Sequence, residues 1–193
     1  MLSGWALPRK ANIGGTEYSI NTDFRDVLEI FSYLDDPDTP EFIRWQVALA
    51  LFYEGQIPEN HRQEAMEFLA LFLNGGREEA GKPAPKLLDW QKDCDLIISD
   101  INRVAAREIR LEKYIHWWTF LSWFHAIGEG QLSCVVGIRD KLRRGKKLDG
   151  WEKDFYRENK ARIDLKKPCS AAELEEKRRL IAMLDNGQLT IDN

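Results

Sequence analysis

Cysteine, histidine and methionine are scarce in this 193-residue chain, with three of each. Cys94, Cys134 and Cys169 lie far apart, form no CxxC pair and are odd in number. That excludes a disulfide framework or a cysteine-based metal knuckle and suits a reducing compartment. His61, His116 and His125 are equally dispersed, and none has a second histidine four residues on, as an HExxH zinc helix requires. A long apolar run is missing too. The longest candidate segment, Tyr114 to Ile127, has 14 uncharged residues and contains two histidines, whereas a membrane-spanning helix needs roughly 20 mostly apolar residues. "MLSGWALPRK" has no basic start followed by an apolar run, so no signal peptide is expected. "NIGGTEYS" and "LNGGREEAGK" are rich in glycine, but neither ends in the Lys-Ser/Thr of a phosphate loop, and there is no GxSxG elbow. The sequence therefore predicts a non-enzymatic protein without metal or cofactor, soluble and cytoplasmic.

Hydrophobic residues at 44% and charged residues at 31% are ordinary for a folded domain. The net charge of −4 is unevenly spread. Residues 1–138 carry 13 basic and 21 acidic side chains, whereas 139–167 carry 12 basic and 6 acidic. Within that basic segment Arg143, Arg144, Lys146 and Lys147 surround Gly145 and form a candidate phosphate-binding patch. Glu152, Asp154 and Glu158 are interleaved downstream, so a solvated helix pair of mixed charge is the favoured reading and nucleic-acid binding the lesser one.

Periodicity predicts a mainly α fold, a bundle of about seven helices behind a short N-terminal β-hairpin. Gly14-Gly15 sits between two short runs as a tight turn. Thr22 is read as N-cap of a first helix, and Thr39 as N-cap of a second with Pro40 at its first position, running to about Glu54. A third helix is expected from about Glu59 to Asn74. "GGREEAGKPAPK" marks a linker, so the chain divides into 1–75, a linker at 76–88, a helical part at 89–167 and an extension at 168–193, within one domain or two. Asp89 is expected to cap the next helix. Others follow at 111–127, 131–144, 150–163 and 171–185, the last with Ser170 and Glu173 in capping-box spacing.

"YIHWWTFLSWF" (114–124) is the densest feature, with six aromatics and a histidine in eleven positions. Wound as one helix over 111–127, its apolar side chains cover most of the circumference, so the helix is expected to be buried. His116, Trp117 and Trp118 are then a core motif, with His116 hydrogen-bonded inside the fold rather than acting as a base or ligand.

The ordered set "GGTEYSINTDFRDVLEI", "ALFYEGQIPENHRQEAMEFLALFLNGG", "YIHWWTFLSWFHAI", "GIRDKL" and "WEKDFYRENKARIDL" resembles the bacteriophage gene-product-fifteen family over roughly residues 5–165. These are small tail-module proteins of phages and prophages of Gram-positive bacteria. The resemblance implies a tail-assembly chaperone in the host cytoplasm that binds the tape-measure protein, and it implies self-association. Trp45, Phe52, Phe68 and Phe72 are the candidate residues of a groove for that partner. A structural tail connector is the alternative, and a nucleic-acid-binding regulator using 139–167 a further one.

Overall fold

The computed structural model describes residues 5–78 and 85–165. Seven α-helices follow a two-stranded antiparallel hairpin, so the mainly helical expectation holds. Strands β1 (Lys10–Ile13) and β2 (Thr16–Ser19) pair with Ile13 opposite Thr16. Gly14 and Gly15 both have positive φ (57° and 80°), as a two-residue turn matched to strand twist requires. Gly14 has a second constraint: a Cβ there would lie 2.3 Å from the His61 ring, while its amide donates to Glu64 at 2.9 Å. Ala11 and Ile13 face the core.

Helices α1 (Phe24–Leu34) and α2 (Glu41–Phe52) form the first helical hairpin, and α3 (Arg62–Leu73) follows a 3-10 turn at Glu59–His61. The caps differ from expectation by one residue. Asp23, not Thr22, caps α1 by accepting from the Arg25 amide at 3.0 Å, because the Thr22 hydroxyl is engaged with Tyr114 at 2.7 Å. Pro40, not Thr39, is the cap position of α2, and the Thr39 hydroxyl donates instead to Asp36 in the preceding loop. That helix stops at Phe52 rather than Glu54, because Tyr53 turns extended and bridges to Ile20.

Helix α4 (Cys94–Ala105) starts later than Asp89 predicts. The Asp89 carboxylate accepts from the amides of Gln91 and Lys92, which winds 89–93 as a separate turn. The largest departure concerns the aromatic helix. A 3-10 turn covers Ile109–Leu111, and α5 itself is only Trp117–His125. The preceding strip is extended and laced to the start of α1: Phe24 donates to the Ile115 carbonyl, Trp117 to the Thr22 carbonyl, and Ile115 to the Asp23 carboxylate. The Arg25 guanidinium closes the same junction on the carbonyls of Ile109 and Glu112. Leu111, expected on a buried face, is 83% exposed as a result.

Helix α6 (Gln131–Arg143) ends one residue short of expectation, and α7 (Gly150–Ile163) has the expected bounds. The helix expected at 171–185 lies outside the described residues. One hydrophobic cluster runs from Ala11 to Ile163 and takes in residues on both sides of the 76–88 segment. No helix among the described residues is long and apolar enough to cross a membrane.

Candidate interaction surfaces and the aromatic core

His116, Trp117 and Trp118 are all buried. Histidine 116 is the N-cap of α5: its Nδ1 accepts from the Trp118 amide at 3.0 Å. Nε2 therefore carries the proton and donates to the Pro8 carbonyl at 2.9 Å. Burial holds the imidazole pKa below its ordinary value; the bond to Pro8 opposes this, and the nearby Arg9 charge adds to it. This histidine is doubly hydrogen-bonded within the fold, and among the described residues it belongs to no cluster of metal ligands.

Both indoles serve the neighbouring helix. The nitrogens of Trp117 and Trp118 donate to the carbonyls of Leu73 and Phe72, each at 2.9 Å, in the last turn of α3. A helix C-terminus leaves four carbonyls without intrahelical donors; Trp117 supplies the bond to Leu73, and Trp118 adds a second to Phe72, which also accepts from the Gly75 amide. Around them Phe24 stacks on Phe120 at 4.8 Å, and Trp90 contacts both Trp117 and Phe124. The cluster knits α1, α3, α5 and the 89–93 turn together.

Two of the four groove candidates are removed from any surface. Phe52 and Phe72 are fully buried with ring centroids 5.0 Å apart. Their helices are rich in apolar residues, and 52 and 72 fall on the inward stripe with Leu49 and Leu69. Trp45 and Phe68 keep partial exposure at its edge. The surface feature that periodicity missed lies one turn earlier: the stripe of α2 runs beyond the core, leaving Phe42 60% exposed and Ile43 open beside it. The Arg62 guanidinium sits 4.7 Å over the Phe42 ring. The signal was present in "PEFIRW", where two large apolar residues occupy the first turn, before the helix reaches its packing partners.

The basic candidates are partly neutralised. Arg143 and Arg144 share Asp140, each at 2.8 Å, which holds the Asp140 carboxyl below the usual range, chiefly through the Arg143 bond. Lys141 binds Glu152 and Asp149, and these bonds raise its pKa. Lys146 and Lys147 are exposed, with no ion pair among the described residues. The four candidates thus lie at one helix-hairpin end rather than along a continuous basic face.

Arg139 behaves differently from its neighbours and was not singled out by the sequence. Its guanidinium grips Asp93 through two bonds, at 2.6 and 2.8 Å, with both side chains buried. It also donates to the carbonyls of Leu87, Arg162 and Ile163. A signal existed: 139 falls on the same helical stripe as Leu132, Val135 and Ile138, where a charge must be paired.

Clefts are shallow. One of about 390 Å³ is bordered by Leu7, Gly75, Arg77, Trp118, Leu121 and His125, and another of about 210 Å³ lies between α1 and residues 86–91. Among the described residues no three His, Cys, Asp or Glu side chains gather as metal ligands.

The family model described as bacteriophage Gp15 protein matches residues 6–165. The chain belongs to the bacteriophage Gp15 family. No curated protein and no solved structure matches it. The family match ends at residue 165, two residues beyond Ile163, the last residue of α7, whose carbonyl Arg139 holds.

Proposed function

We propose that this Gp15-family protein is a phage tail-assembly chaperone. It acts in the host cytoplasm as a binding protein rather than an enzyme, and its partner is the tape-measure protein, kept soluble until the tail tube assembles around it. Family membership supports a phage role. The observation that carries the binding role is the outward run of the α2 stripe, where Phe42 and Ile43 are exposed beside the half-buried Trp45. An amphipathic helix docks by laying its apolar face on such a strip, with anchors three or four residues apart. Phe42, Ile43, Trp45 and Phe68 thus replace the groove set read from the sequence, since Phe52 and Phe72 are core.

Co-expression with the tape-measure product of the same phage tests the reading. A soluble complex that survives high salt is expected, since apolar contacts outlast screened charge contacts. Phe42→Asp with Ile43→Asp abolishes that complex in a protein that remains folded. If the tape-measure product stays insoluble with or without this chain, and the chain is found in purified particles, it is a tail connector instead.

A further inference from the structure

Two helical hairpins of this molecule end in exposed apolar side chains, and the two ends carry opposite charge. At the α1/α2 end, Arg44 donates to the Leu34 carbonyl and holds the hairpin together. Tyr33, Phe42 and Ile43 are exposed there. The connecting loop holds Asp35, Asp36 and Asp38, and Glu41 opens α2. Asp35 pairs with Lys86 at 2.8 Å, and Asp36 accepts from the Asp38 amide and the Thr39 hydroxyl. At the α6/α7 end, Lys141 closes the hairpin by binding Asp149 and Glu152. Leu142 is exposed, and Trp151 is 58% exposed on the first turn of α7. Arg143 and Arg144 have one carboxylate between them, and Lys146 and Lys147 add their charges without an ion pair among the described residues.

Each end therefore has the makeup of half an interface, with large apolar anchors inside a charged rim. Aromatic anchors supply most of the binding energy at such sites, and the rim sets orientation and encounter rate. The complement of each end is present on the same polypeptide. We propose that the basic α6/α7 end of one copy docks on the acidic α1/α2 end of a second copy, with Trp151 and Leu142 packing against Phe42 and Ile43. The contact joins two different patches, so it is heterologous and propagates until a ring closes or a filament grows. It also covers the α2 strip assigned above to the tape-measure partner, which makes self-pairing and partner binding mutually exclusive. The pairing concerns the free protein and stands whether or not the tape-measure reading does.

Sedimentation of the full chain, purified alone, at low and high salt tests this. A mass above one chain is expected at low salt, falling as salt screens the rims. Trp151→Ala weakens association about tenfold or more, as loss of a central aromatic does. The pair Lys146→Glu, Lys147→Glu and the pair Asp38→Lys, Glu41→Lys each leave single chains with an unchanged circular-dichroism spectrum. Mixing these two variants restores association, because each then presents a patch opposite in charge to one on the other. A single chain at every salt and concentration overturns the proposal. Association that survives in both charge-reversed variants overturns it as well.

Discussion

The Trp118 indole nitrogen lies 2.9 Å from the Phe72 carbonyl oxygen, a bond across 46 positions of sequence that finishes the last turn of α3 from the first turn of α5. Trp117 does the same for Leu73. Replacing Trp118 by Phe keeps most of the packed volume and removes one of two bonds to the Phe72 carbonyl, which keeps the Gly75 amide. The expected loss is about 0.5–1.5 kcal/mol of unfolding free energy in urea. Trp117→Ala removes the packing as well and is expected to cost about 3–5 kcal/mol.

Arg139 and Asp93 form the one fully buried ion pair among the described residues. Breaking such a pair from one side strands a charge in the interior and costs about 3–5 kcal/mol. Asp93→Asn is expected to fall in that range. Arg139→Met is expected to cost more, since the carbonyls of Leu87, Arg162 and Ile163 then lose their donor together. Limited proteolysis distinguishes it from a general loss of stability: cleavage near the end of α7 is expected before cleavage elsewhere.

Acid weakens the fold through His116. Its folded-state pKa lies below the unfolded value, so the unfolded chain binds the extra proton and stability rises with pH across that interval. The contribution is complete above about pH 6.5, the ordinary histidine value, and is lost as the pH falls toward the depressed folded value. Protonation also places a hydrogen on Nδ1, facing the Trp118 amide it should accept from. His116→Asn retains a side-chain cap for α5 without a titrating group. Unfolding free energies measured from pH 8 to pH 5 are expected to show a shallower acid-side loss in that variant than in the parent.

Much of this architecture could be read in the residues themselves. The bounds of α7 and the Gly14-Gly15 turn follow from local signals: in the structure Asp149 and Glu152 form a capping box at the start of α7, and the glycines stand where φ must be positive. Local signals failed where a distant segment competed for the backbone. Tyr114 and Ile115 continue the apolar pattern of α5, yet the Ile115 carbonyl and amide are taken by Phe24 and Asp23, and the Trp117 amide by Thr22. Facing was the second failure. On α2 and α3 most positions are apolar, so periodicity could not tell that Phe52 and Phe72 point inward while Phe42 runs out onto the surface. Arg139 was obscured by company, since it opens the basic run and looks like one more solvated charge.

The junction between residues 22–25 and 109–117 has a consequence for how the molecule is made. Ile115 reaches the Asp23 carboxylate from 92 residues away, and the Arg25 guanidinium closes on carbonyls of the same late segment. A ribosome emits the hairpin and α1 long before those partners exist. The junction therefore cannot close until the tryptophans have been translated, although α2, which follows α1 directly, can cover Val27 and Ile30 before then. Growth of this polypeptide is gradual, and the closing of this junction is a late step. Brief shelter by general host chaperones would act on that interval alone, and a chain truncated before Trp117 would remain their client.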